Sequence, residues 1–203
     1  MRILLFLVGF TFISLQANAL TPDIIKDGDV NGIYATLSDF RHNTPYLIDG
    51  KHHGDKVKLN QFFFSPTINC AEDGQSKLFY KDSIFAITLK DGRKFRFINR
   101  EPYLIADTSC LYIYSLKKII SERKQEGPHT RTANKVVTAY FFSTGDHSSV
   151  YPLSMLNLRQ KLNVSKAVFD RLEKEFTTDD ALTKTDKQTG RFRINDLLLT
   201  EGK

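Results

Sequence analysis

The chain has no tryptophan, and among its 203 residues only two are cysteine and two methionine. It has no C-x-x-C pair, which argues against thiol–disulfide oxidoreductase chemistry. Neither a G-x-S-x-G elbow nor an H-E-x-x-H occurs, so no α/β-hydrolase or zincin site is announced. Neither G-x-x-x-x-G-K-[ST] nor G-x-G-x-x-G occurs, so the usual phosphate-cradling loops of nucleotide-binding folds are missing. No period of roughly 20–50 residues repeats, which argues against a solenoid. After residue 15 no stretch is apolar for the roughly 20 residues that a membrane helix takes.

The one long apolar run is Ile3 to Leu15, 13 residues after a single positive charge at Arg2. That run is too short to span a bilayer, and Ala17-Asn18-Ala19 follows with small residues at the −3 and −1 positions. The three parts together are the pattern of a secretory signal peptide. The expectation is cleavage after Ala19 and a mature chain from Leu20, periplasmic or secreted, with no transmembrane segment. No cysteine stands near the cleavage site to carry a lipid anchor.

The formal net charge is +6. In the sequence the excess is spread out, with no long block of one sign. Modest basicity favours anionic partners such as lipopolysaccharide, phospholipid head groups or acidic glycans, and equally suits a solvated surface. Nucleic-acid binding is not expected, since the basic residues do not gather and the chain is exported.

Cys70 and Cys110 form an even pair in an oxidising compartment, which invites a disulfide. A loop of about 40 residues would add roughly 4 kcal/mol in the chain-entropy model. Two free thiols are the alternative, because sequence does not show proximity.

Along the chain, residues 20–32 are polar with Pro22, Gly28 and Gly32, and read as a flexible leader. Thr36-Leu37-Ser38-Asp39 has the form of a capping box, so a short helix is expected from Leu37 to His42, ending before Pro45. The middle is β-rich: strands are expected near Val57–Gln61, Ser83–Thr88, Lys94–Ile98, Tyr103–Ala106, Cys110–Ile120 and Val136–Ser143. Asp91-Gly92 marks a tight hairpin turn. Arg123 to Asn134, with Gly127-Pro128, reads as a long loop, and Val150-Tyr151 as a short returning strand. From Pro152 the apolar period lengthens to about 3.6. Ser154 and Ser165 are placed to cap two helices, and Ile194–Leu199 reads as a short last helix. Strands first and helices last argue for an α+β fold built on an antiparallel sheet. The expectation is one domain from residue 33 to 203, β-rich to residue 151 and helical from 152.

Several stretches, taken in order, resemble one family. They are Ile33-Tyr34-Ala35-Thr36-Leu37-Ser38-Asp39-Phe40-Arg41-His42-Asn43-Thr44-Pro45, the pair Ile84–Ile87 and Asp91–Phe97, the pair Tyr103–Ile105 and Leu111–Tyr114, and the blocks Tyr140–Ser143 and Val150–Leu162. The order is similar to that of exported, uncharacterised proteins common in Bacteroidota. The resemblance covers most of the chain past the leader. It departs at Phe85 and Ala86, where the family has Trp and Gly. It implies an exported protein and, since the family has no assigned activity, transfers no catalytic residue.

Candidate chemistry is sparse. His52-His53-Gly54-Asp55 puts two imidazoles and a carboxylate in one loop, but a metal site wants three or four ligands, and His42, His129 and His147 have no motif spacing. Asp146-His147-Ser148-Ser149 contains triad residue types, which in a triad meet in space and not in sequence; a polar hairpin loop is the simpler reading. Asp179-Asp180 and Glu173/Glu175 read as helix surface, and nothing sets two carboxylates across a cleft. Phe62-Phe63-Phe64 and Phe141-Phe142 suit a sheet core. Asn163-Val164-Ser165 fits a glycosylation sequon, which in a bacterial protein is simply a helix cap. The sequence thus points to a non-enzymatic envelope protein without cofactor or metal, binding an envelope protein, glycan or anionic lipid. The alternative is an envelope hydrolase with a site near His52/His53 or His147.

Overall fold

The computed structural model describes residues 28–47, 56–57, 65–72, 75–126, 129–146 and 148–201. Residues 1–27 with the expected cleavage site, the His52-His53 loop, residues 58–61 of the strand expected near Val57–Gln61, Phe62–Phe64, Gly127-Pro128 and His147 lie outside these residues. The fold is α+β, with a mostly antiparallel sheet and helices at its N- and C-terminal parts. The strands are β1 (Gly28–Tyr34), β2 (Tyr46–Leu47), β3 (Lys56–Val57), β4 (Thr67–Glu72), β5 (Gln75–Tyr80), β6 (Ala86–Leu89), β7 (Lys94–Ile98), β8 (Glu101–Asp107), β9 (Tyr112–Glu126), β10 (His129–Ser143) and β11 (Tyr151–Pro152). The helices are α1 (Leu37–Arg41), α2 (Met155–Lys161), α3 (Lys166–Glu175), α4 (Asp179–Leu182) and α5 (Arg193–Glu201).

A nine-stranded sheet runs in the order β11-β10-β9-β8-β7-β6-β1-β2, with β3 also on β1, while β4 and β5 form a separate two-stranded ribbon. From β6 to β11 the sheet is a plain meander, so local turn chemistry sets its register. Gly92 takes φ +84°, the left-handed region that Asp-Gly turns exploit, and its N–H reaches the Leu89 carbonyl at 2.9 Å. Asn99 and Arg100, at φ 50° and 69°, make the two-residue turn between Ile98 and Glu101. Gly32 serves a close approach: a Cβ there would stand 2.7 Å from Pro45 Cβ, so glycine lets β2 fold back onto β1.

Residues paired across neighbouring strands share a face. One row reads Ile33, Ile87, Phe95, Leu104, Ser115, Tyr140. On this face two covers sit side by side. Toward β1, β6 and β7, Ile68 of the ribbon joins Ile33, Ile87, Leu89, Phe95 and Phe97 in one buried cluster. Toward β9 and β10, Leu158, Leu172, Leu182, Ile194 and Leu198 of α2 to α5 pack on Ile113 and Phe142. Ser154 and Ser165 cap their helices as the sequence implies, and Thr178 caps a third; each accepts the backbone N–H three residues on. Two polar clamps tie the C-terminal part to the sheet. The buried Asn195 amide accepts from Leu111 N–H and donates to Leu111 O, both at 2.9 Å. Asp107 accepts from Phe192 N–H at 2.9 Å and Ser109 N–H at 2.8 Å, and these bonds hold its carboxyl below the usual range against the opposing effect of burial.

Three elements differ from the sequence expectation. The stretch expected as leader through residue 32 is already strand from Gly28, because β6, β2 and β3 satisfy its backbone. Residues 123–134, expected as a loop, continue the β9–β10 ladder out to Glu126 and His129. Among the described residues no further strand pairs with the outer hairpin, and its sequence lacks the apolar alternation by which a half-buried strand is recognised. The Thr-rich tail contains α4, which is capped by Thr178.

Candidate binding groove beside the first helix

The opposite face of the sheet is polar and aromatic. Its rows read Tyr34, Ala86, Arg96, Tyr103 and Ile105, Tyr114, Phe141. The only helix laid over it among the described residues is α1. A full capping box starts α1: Thr36 Oγ1 accepts from Asp39 N–H, and the Asp39 carboxylate accepts from Thr36 N–H. The box fixes the angle at which Phe40 enters, edge-on to Tyr34 at 5.2 Å and against Phe85 at 5.3 Å.

Beneath α1 runs a directed hydrogen-bond chain. Arg96 Nη1 donates to Tyr114 OH at 2.9 Å, and Ser143 Oγ donates to Gly145 O at 2.7 Å. The single Ser143 proton is thereby used, so across the 3.1 Å contact Tyr114 donates to Ser143. The Arg96 guanidinium also lies over the Phe85 ring at 5.0 Å. Nearby, the Arg41 guanidinium grips the buried Asp146 carboxylate with two nitrogens, Nη2 at 2.7 Å, and so ties α1 to the turn after β10. Burial pushes the Tyr112 hydroxyl above its ordinary range, and Asp146 and Tyr114 add to the effect.

Between α1, the β6–β7 hairpin and the end of β8 lies an open groove of about 880 Å³. Arg41 and Asn43 form one wall, Arg93 and Lys94 another, and Ile105 and Thr108 the far side. The cations differ in how they are satisfied. Arg41 is held by Asp146, and Arg93 by Asp91 at 2.7 Å. Lys94 makes no carboxylate pair among the described residues; its Nζ lies 5.4 Å from the Phe40 ring and 5.7 Å from the Tyr34 ring. A half-buried ammonium over two aromatic faces keeps donors for an incoming anion. Asn43, at φ 50°, is held by Tyr34 OH at 2.8 Å, so the amide beside Lys94 is fixed in place.

A second cavity, about 340 Å³, lies between α3 and α5 and is lined by Arg171, Glu175, Asp186, Arg193, Asp196 and Thr200. Its charges are spent on one another: Arg193 pairs with Glu175, and Arg171 with Glu201. It offers no comparable unpaired cation.

The residues singled out from sequence fall as follows. Cys110 is an exposed free thiol on the turn between β8 and β9, and burial of part of the group, with Asp107 nearby, pushes it above its ordinary range. Cys70 stands on the ribbon opposite Lys77, and its side chain is not among those described. Cys110 is joined to no other cysteine among the described side chains, and the expected Cys70–Cys110 bridge turns on a side chain that is not one of them. Ile68, two residues before Cys70, and Leu111, next to Cys110, are buried in different clusters under different covers. In the Asp146–Ser149 segment, Asp146 serves Arg41 and Ser148 closes the turn by donating to Gly145 O at 2.8 Å. His42 Nδ1 is 2.9 Å from Ser38 O and 3.4 Å from Ser38 Oγ. A carbonyl only accepts, so Nδ1 carries the proton and is no base for Ser38. Glu173 pairs with Arg159, and Asp179 caps α2 through Met155 N–H at 2.9 Å. Among the described residues no group of three or more potential metal ligands comes together.

The sequence reading did not single out Arg41, Lys94, Arg96 or Asp146 as a set. They come from three separate segments, α1, β7 and the turn after β10, that only the sheet order joins. No family model, no curated protein and no solved structure matches this chain.

Proposed function

We propose that this is an exported, non-enzymatic binding protein of the cell envelope, and that the groove beside α1 takes an anionic group, a phosphate or carboxylate on an envelope glycan. The observation that carries this is Lys94, a cation lining the groove without a carboxylate partner among the described residues, beside the anchored Asn43. A groove of about 880 Å³ is within the size of ligand sites. Export is supported by the signal-peptide pattern of residues 1–19, and by the resemblance to exported Bacteroidota proteins.

Arg41 and Arg96 are each held by a fixed partner, which makes them wall and support rather than ligands. The test is a nuclear magnetic resonance titration with inorganic phosphate, glucuronate and glucose. The expected result is saturable shifts at Lys94, Asn43 and Thr108 with the two anions but not with glucose, weakened about tenfold or more in Lys94→Gln. Equal response to glucose, or none of these residues moving, would overturn the reading.

A further inference from the structure

Beyond Leu116 and Ala139 the β9–β10 hairpin leaves the sheet. β8 pairs with β9 only as far as Ser115, and β11 pairs with β10 only at Phe141 and Phe142. The register nevertheless continues unbroken from Lys117–Thr138 to Glu126–His129. At about 3.4 Å per residue this is a two-stranded arm about 30 Å long, with both edges unpaired among the described residues.

Folding does to charge here what the linear sequence hides. The arm holds Lys117, Lys118, Arg123, Lys124, Arg131 and Lys135 against only Glu122 and Glu126. Six against two is a net +4, out of +6 for the whole chain. At its root the arm is also apolar. Ile119 and Val136 face each other across the ladder at 50% and 36% exposure, and Ile120, pointing to the other side, is 38% exposed. Lys118 lies beside Val137, and Lys135 beside Ile120.

We infer that this arm docks the protein on an anionic phospholipid surface. Charge decides against a second copy of the chain: edge-to-edge pairing would bring two arms of net +4 together, and clustered cations on an edge are a common guard against such pairing. A dissolved polyanion would satisfy the charges but leave Ile119 and Val136, which share one face, in water. A bilayer interface takes both, with lysine and arginine at the phosphates and the aliphatic groups at the acyl boundary. The inference is independent of the groove, which is lined by α1, the β6–β7 hairpin and residues 104–108 at the end of β8; the β8 residues among them pair with Ile113 to Ser115 at the start of β9, away from the arm.

The test is co-sedimentation of the purified protein with vesicles of phosphatidylcholine, with and without phosphatidylglycerol. Binding is expected only with phosphatidylglycerol, falling steeply with added salt. The variant Lys117→Gln, Lys118→Gln, Arg123→Gln, Lys135→Gln is expected to lose on the order of a hundredfold in partitioning. Ile119→Ser with Val136→Ser, which keeps every charge, is expected to lose several-fold. Lys94→Gln is expected to bind vesicles like the parent, which separates a failure here from a failure of the groove. Equal binding to pure phosphatidylcholine, indifference to salt, full binding by the glutamine variant, or dimerisation in place of vesicle binding would each overturn the inference. The salt dependence is read on the unaltered protein and does not depend on how any variant folds.

Discussion

The two halves of the β9–β10 hairpin share one hydrogen-bond ladder and differ in almost everything else. From Tyr112 to Leu116 the strand is sandwiched: Ile113 is fully buried under the helices, and Tyr114 is fully buried on the other face. From Lys117 outward the same strand carries charge and half-exposed isoleucine. The ladder extends a strand, but cover on a face is what makes it resist opening, since an isolated two-stranded hairpin is marginal in water. The inner half serves as scaffold, and the outer half presents its side chains.

The sharpest way to test that contrast uses one residue type on one face of one strand. Ile113→Ala should cost about 2–5 kcal/mol, the price of a cavity under α2 to α5, whereas Ile119→Ala should cost less than about 1 kcal/mol. Denaturant midpoints of the two variants check this directly, and comparable losses would break the division.

The cover at the other end of the sheet can be probed by pH. Lys81, in the helical turn Lys81–Ser83 after β5, is buried with its Nζ 5.5 Å from the Phe97 ring, and burial lowers its pKa from 10.5 to about 8. The folded protein therefore holds fewer protons than the unfolded chain between about pH 8 and 10.5. Stability from this group should rise across that window, and be lost again as pH falls through about 8, by at most about 3 kcal/mol. The difference in stability between the parent and Lys81→Met should change with pH only in that window.

Asn195→Ala leaves the Leu111 N–H and carbonyl unpaired at the entry to β9, and should cost about 1–3 kcal/mol. Hydrogen exchange at Leu111 and Tyr112 should speed up with it, while the outer hairpin is unaffected. The smallest effect is chemical. Without reductant, Cys110 should react with a maleimide in the folded protein, slowly at neutral pH and faster as pH rises past 9, since its thiol is pushed up from 9.0. A Cys110 that stays blocked until reduced would instead restore the bridge to Cys70.

Where side-chain patterning is enforced by a core, the fold could be read in advance. The capping box at Thr36, the Asp91-Gly92 turn, the caps at Ser154 and Ser165 and the last helix all stand where local chemistry puts them. The ribbon of β4 and β5 escaped notice although the sequence has Asp-Gly, a dipeptide that favours hairpins, between Glu72 and Gln75. The outer hairpin was hidden for a better reason: residues 121–126 and 129–134 carry no apolar alternation, the mark by which a half-buried strand is read. The groove was hidden for another, because Arg41, Lys94 and Asp146 are brought near one another only by the order in which the strands pair.

The most direct measurement is hydrogen–deuterium exchange along β9 and β10 in the protein alone. The account predicts that amides of residues 112–116 and 139–143 exchange only with global unfolding, while those of 117–126 and 129–138 exchange orders of magnitude faster through local opening. Uniform slow exchange along the whole ladder would contradict it, for it would mean that the arm is covered and not free to meet a partner.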